Sequence, residues 1–270
     1  MIFARFMTKL RYRTKSFFTK ANLGNLFQLF NAFRKSIDNN SMLGILWSLI
    51  VPLVLFAVMF IVFRARFGSQ VKAYPLYLLI GIVCVNFFTI SVSYLTKSLF
   101  NYKSMVLNMK MIRENIVIAN LLIYLYKFLI ELFLCFVLSF FYGLFRWEAI
   151  FLLVPLIIGF AGLVLGISLG FSLVFCMTRD IEHLWLIMSR IFYFVTPVFY
   201  TLDIVPVFTR KLIIYMNPLT PFVVSCRGIF MDISNMDFSM YFYSLAVGVF
   251  CLIVGYLLFI EFDSAAIEQI

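Results

Sequence analysis

The 29 residues from Ala149 to Met177 contain no charged side chain. A helix of that length rises about 43 Å at ~1.5 Å per residue, more than the ~30 Å hydrocarbon thickness of a bilayer. Such a run must close its backbone hydrogen bonds internally and surround its side chains with lipid or other apolar helices. Comparable runs recur near 43–63, 75–95, 120–145, 184–200 and 240–260, which predicts six transmembrane helices. Composition agrees, with 64% hydrophobic residues, 13% charged and a mean hydropathy of +1.05. Soluble domains hold about 45–50% and 25%. An ordinary soluble enzyme, a disordered chain and a disulfide-stapled module are all excluded. The run from Leu43 to Phe63 is too long and too far along the chain for a cleaved signal sequence.

Charge supplies the orientation. The first 42 residues carry eight Lys/Arg and one acid, so the positive-inside rule places the N-terminus in the cytoplasm, and six spans return the C-terminus to the same side. The other loops alone do not favour this orientation; it rests on the N-terminal block. The net charge of +10 is therefore a membrane signal. No basic domain outside the membrane is available to bind nucleic acid. Within the 1–42 segment, Leu23, Leu26, Phe27, Phe30, Phe33 and Ile37 recur at helical spacing, with Asn22, Asn25, Gln28, Asn31 and Lys35 largely opposite. This predicts an amphipathic helix, lying in the membrane surface or packed on protein.

The connections within the 43–270 transmembrane region differ in character. The third and fourth spans are joined by a tight external turn around Arg146, Trp147 and Glu148. The cytoplasmic stretch 97–115 mixes polar and apolar residues without Gly or Pro, which suits a short surface helix that docks on a partner. The external stretch 201–239 is too apolar for a solvated loop and contains Pro206, Pro218 and Pro221. Irregular backbone at membrane depth must be shielded or line a wet cavity, so a re-entrant pair of short helices is expected there. The fold class is thus all-α and polytopic, with an N-terminal interface helix and re-entrant helices between the fifth and sixth spans. No internal repeat supports an inverted-repeat transporter.

Little in the chain can carry chemistry. GxxxxGK[ST] and HExxH are absent, so an energy source must lie on another chain or in an ion gradient. Five scattered cysteines and a single histidine, His183, offer no metal site. Lys127 and Glu131, at i and i+4 in the third span, either neutralise one another or mark a pathway. Gly159, Gly162, Gly166 and Gly170 form a small-residue stripe that reads as a packing seam, with permeation as the alternative. Arg190 either faces a channel, where it could meet a phosphate, or snorkels to the inner interface. Among many aromatics, Phe192, Tyr193, Tyr200 and Tyr215 cluster around the proline-broken region.

Three segments in order carry a resemblance: Ser41–Trp47 followed by Pro52; Thr178–Leu184 leading to Phe192–Tyr200; and Asn217-Pro218 with Pro221 and Arg227. Together they resemble the permease subunits of ABC exporters for cell-surface polysaccharides, the O-antigen, capsule and wall teichoic acid exporters. The likeness spans nearly the whole chain. It implies a homodimer in a bacterial or archaeal cytoplasmic (inner) membrane, docked on two copies of a separate P-loop ATPase that holds the ATP and Mg. No cofactor is expected on this chain. A glycan carried on a polyprenyl diphosphate would pass between the subunits. The implied ATPase-coupling residues are Lys103, Met105, Met109, Lys110, Arg113, Glu114, Arg179 and Asp180. The implied path and gate residues are Arg190, Phe192, Tyr193, Pro197, Tyr200, Tyr215, Asn217 and Pro218. Arg34, Lys35 and Trp47 would admit the lipid diphosphate. Where many members of that family have basic residues before the Leu-Gly-x-Leu-Trp motif, this chain has Asp38-Asn39-Asn40, which shifts the phosphate contact to Arg34 and Lys35. The alternatives are an ABC permease for drugs or lipids and, in another class, a membrane-embedded lipid-modifying enzyme. The latter typically needs paired acids for Mg²⁺, and no DxxxD or DDxxD occurs here.

Overall fold

The computed structural model describes residues 19–38, 46–68, 71–108, 112–267 and 269. Among these, the secondary structure is helical: α1 (Lys20–Asp38), α2 (Leu46–Phe67), α3 (Tyr74–Thr96), α4 (Ser98–Asn101), α5 (Lys103–Asn108), α6 (Glu114–Phe141), α7 (Ala149–Met177), α8 (Asp180–Val195), α9 (Val207–Met216), α10 (Leu219–Met231) and α11 (Phe238–Ile267). Five helices among the described residues, α2, α3, α6, α7 and α11, are long and apolar enough to cross a membrane.

The expected fifth span differs. α8 has 16 residues, about 24 Å at ~1.5 Å per residue, and stops before Thr196. The cause is Pro197, whose ring drives the preceding residue out of the helical region. Thr196 accordingly sits at φ −68°, ψ 135°. The apolar loop expected at 201–239 contains α9 and α10, which are bent by 97° across Asn217-Pro218. The turn after the third span starts earlier than expected. Gly143 takes the left-handed conformation at φ 67°, and the N–H groups of Gly143 and Leu144 donate to the carbonyls of Phe140 and Ser139. That is a Schellman end, which closes α6 at Phe141. The stretch 97–115 is broken at Tyr102 into α4 and α5.

α3 is the axis of the bundle. Its span is 78% buried, whereas that of α2 is 6% buried. A helix that is apolar on all sides needs cover on all sides, and α6, α7, α10, α2 and α8 supply it for α3. α7 and α11 form the most extensive helix pair. A Cβ on Gly166 would strike the Cys251 carbonyl, and one on Gly255 would strike that of Gly166. Gly159, Gly162 and Gly166 therefore lie in the expected packing seam. Gly170 does not, since nothing lies within 4 Å of its Cβ position.

α1 packs on protein and also keeps an apolar edge exposed. Asn115 in α6 donates to Asn22 Oδ1 at 2.6 Å, Phe33 stacks on Tyr102 at 4.1 Å, and Leu23 and Phe27 remain exposed.

Candidate functional site: a bracketed segment and a clustered opposite end

The break after α8 leaves Pro197–Tyr200 without helical hydrogen bonds, yet each of its four carbonyls receives a side-chain donor. Arg227 in α10 donates from Nη1 to the Pro197 carbonyl at 2.6 Å and from Nη2 to that of Val198 at 2.9 Å. Tyr74 and Tyr77, in the first turn of α3, donate their hydroxyls to the carbonyls of Phe199 at 3.2 Å and Tyr200 at 2.7 Å. Asn217 Nδ2 donates to Thr196 Oγ1 at 2.8 Å, while its Oδ1 accepts from the Leu219 N–H at 3.0 Å and so caps α10. The segment is thus held from two helices at once.

Arg227 is the centre of this bracket. It is 6% exposed, its Nε donates to the Tyr77 carbonyl at 3.1 Å, and its Cζ lies 3.4 Å from the centroid of the Tyr77 ring. A buried guanidinium is tolerable where its donors are met and an aromatic face offsets its charge. Gly81 leaves the room: a Cβ there would stand 2.6 Å from Nη2.

The predicted gate residues divide. Pro197, Tyr200, Asn217 and Pro218 come together in the bracket, and the Tyr200 hydroxyl donates to the Val195 carbonyl at 2.9 Å. Tyr193 packs on Phe199 at 5.8 Å. Phe192 turns inward, edge-on to Phe88 at 5.5 Å. Tyr215 is exposed and lies against Tyr243 at 5.6 Å. Arg190 is exposed on α8 among exposed Ile187, Ile191 and Phe194. Sequence reasoning missed Tyr74, Tyr77 and Gly81, and noted Arg227 only within a motif. A lone cation in the apolar α10 and the Tyr74-Pro-Leu-Tyr77 spacing were the available signals.

The other end of the bundle gathers the predicted coupling residues in part. Arg179 Cζ and Lys103 Nζ both lie over the Phe100 ring, at 4.7 and 5.7 Å. Thr178 Oγ1 accepts from the Asp180 N–H at 3.4 Å, and acids Asp180 and Glu182 in the first turn of α8 complement its dipole. Lys97 pairs with Glu182. Lys103, Arg179 and Asp180 are exposed around this cluster, with Met105 half-buried beside it. Arg113 is engaged inward, with Nη1 3.1 Å from the buried Asp263 in α11, and Glu114 is buried, so neither extends the exposed surface. Met109 and Lys110 lie outside the described residues. Arg34 and Lys35 are exposed on α1, Arg34 lying over Phe30 at 5.7 Å. Trp47 is exposed at the start of α2.

No family model matches the chain. Curated relatives do. An O-antigen export system permease protein RfbA from Klebsiella pneumoniae is 29% identical over 224 residues, covering 79% of this chain and 84% of the relative. The chain is similar to O-antigen export permeases. A second Klebsiella pneumoniae protein of that name is 27% identical over 257 residues, covering 89% of this chain and 94% of the relative. The resemblance read from the three sequence segments is borne out by both. These export permeases are transporter components and not enzymes.

Proposed function

We propose that this chain is the membrane permease of an ATP-driven exporter that moves a polyprenyl-diphosphate-linked polysaccharide across the cytoplasmic (inner) membrane. The observation that carries the geometric side is the bracketed Thr196–Tyr200 segment. Irregular backbone beside membrane-spanning helices is tolerated when shielded or when it lines a cavity, and here each of the four carbonyls from Pro197 to Tyr200 is met by a side chain that a shift of α10 against α3 would release. In this reading the bent α9–α10 pair re-enters from the outside, α8 serves as a short sixth crossing, and both termini are cytoplasmic. The Phe100, Arg179 and Lys103 cluster faces the cytoplasm and meets the P-loop ATPase, which binds ATP and Mg. α2 and α8 are the least covered helices and face a second copy, giving a homodimer with two ATPase copies and the glycan path between the permeases; closed two-fold assembly is the common solution. Arg34, Lys35 and Trp47 receive the lipid diphosphate. O-antigen export by the relatives supports the choice of substrate class.

Purification of the intact chain from its own membrane tests the assembly: a P-loop ATPase is expected to copurify in equal amount. Its absence under mild detergent, with the chain still folded, rejects the proposal.

A further inference from the structure

A cavity of about 190 Å³ lies between α2, α3 and α6, apart from the bracket and from the cluster around Phe100. Its polar lining is unusual for a membrane-embedded wall. Asn86 and Ser91 come from α3, Lys127 and Glu131 from α6, and the exposed Trp47 and Tyr94 also line it. Glu131 is 8% exposed and Ser91 is fully buried. Neither Glu131 Oε2 nor Ser91 Oγ has a hydrogen-bond partner. A buried carboxyl oxygen or hydroxyl left without a hydrogen-bond partner in an apolar bundle is costly, so these atoms point to a further hydrogen-bonding group.

The chemistry of the lining narrows what that group is. Glu131 needs donors, Lys127 offers donors, and Asn86 and Ser91 can do both. One acid and one cation share the wall, so an added phosphate meets Glu131 and an added ammonium meets Lys127. A neutral group that donates and accepts at several points fits without either conflict, and hydroxyls on one ring do this. Trp47 is 51% exposed and Tyr94 57%. Tyr94 is held by stacking on Tyr124 at 5.1 Å. Their faces can cover the C–H side of such a ring while the polar atoms meet its hydroxyls. The volume is roughly six times the ~30 Å³ share of one liquid water, room for one ring.

We propose that this cavity binds a single neutral sugar ring, with Glu131 accepting from its hydroxyls, Asn86 and Lys127 donating to them, and Trp47 and Tyr94 covering one face. It deepens the export reading and depends on it only for the source of the sugar, here a unit of the carried glycan that reaches the wall of the path.

The test uses the full chain with its ATPase in phosphatidylethanolamine nanodiscs, and a dodecyl glucoside carrying a photoreactive group on the sugar. Cross-links mapped by mass spectrometry are expected in peptides spanning 46–52, 86–94 and 124–131. Methyl glucoside in excess should suppress them. Glu131→Leu should reduce them about tenfold, as removal of a buried hydrogen-bond partner does, and Trp47→Ala several-fold. Trp47 is exposed, so its variant remains informative should Glu131→Leu fail to fold. Equal labelling of the folded variants would overturn the proposal. So would displacement by phosphatidylglycerol but not by methyl glucoside, which assigns the site to a lipid headgroup. Labelling no greater than on the exposed faces of α7 and α11 would leave water as the occupant and also overturn it. The readout requires no transport: labelling in a chain that does not export glycan keeps the pocket and rejects the export reading, and export with no labelling does the reverse.

Discussion

Replacing Arg227 by Met keeps much of the side-chain length and removes every donor. In the native protein three guanidinium nitrogens meet the carbonyls of Pro197, Val198 and Tyr77 at 2.6, 2.9 and 3.1 Å. A buried acceptor left without a donor costs about 1–3 kcal/mol; the Tyr77 carbonyl lies within α3 and keeps its helical donor, so the carbonyls of Pro197 and Val198 set an upper range near 6 kcal/mol. Part of that is offset, because the variant no longer buries a guanidinium at 6% exposure, itself a cost of several kcal/mol. The net loss expected is about 2–4 kcal/mol, the orphaned carbonyls outweighing the relieved burial of the guanidinium. Arg227→Lys keeps the charge but cannot span three divergent carbonyls, and should lose about half as much. Thermal unfolding in a single detergent should fall by about 10 °C for Met. Hydrogen exchange of the peptide spanning 192–202 should speed up, while that of α7 does not. An unchanged melting temperature together with unchanged exchange in that peptide would refute the bracket.

Gly255→Ala places a Cβ against the Gly166 carbonyl and is expected to destabilise by more than about 3 kcal/mol, beyond ordinary overpacking; Gly170→Ala, with open space, should change the melting temperature little. Reversing Glu182 to Lys should cost less than about 1 kcal/mol because both partners of the Lys97 pair are about a third exposed, and the double swap with Lys97→Glu should recover it in thermal unfolding. Arg179→Glu sits on the exposed cluster over Phe100; it should lower substrate-stimulated ATP hydrolysis several-fold at unchanged permease abundance, and unchanged turnover would remove Arg179 from the coupling role.

Much of the fold was legible because apolar runs report membrane helices directly. Ala149–Met177 and Tyr74–Thr96 fall within a residue or two of their expected bounds. The errors have local causes. Hydropathy carried the third span through Phe145, where the left-handed Gly143 ends the helix at Phe141. It carried the fifth through Tyr200, where Pro197 stops it at Val195. The glycine stripe was read as a seam, but its partners Gly248 and Gly255 lie some ninety residues away, beyond the reach of local periodicity. The site was less legible for a related reason. Arg227 acts on backbone carbonyls, which have no sequence signature, and its partners come from α3 and from the segment after α8. Lys127 and Glu131 were read as a pair on one helix, whereas the shared cavity also needs Asn86 and Ser91 from α3. Distant helices meet only once the bundle forms.

The proposed function is that this chain carries a lipid-linked polysaccharide across the cytoplasmic membrane. The most direct measurement deletes it from its own organism and quantifies surface glycan and lipid-linked glycan on the cytoplasmic side. Loss of the surface polymer, accumulation of the lipid-linked form inside and restoration of both by the intact chain is the predicted result. Normal surface glycan in the deletion strain, with no internal accumulation, would contradict it.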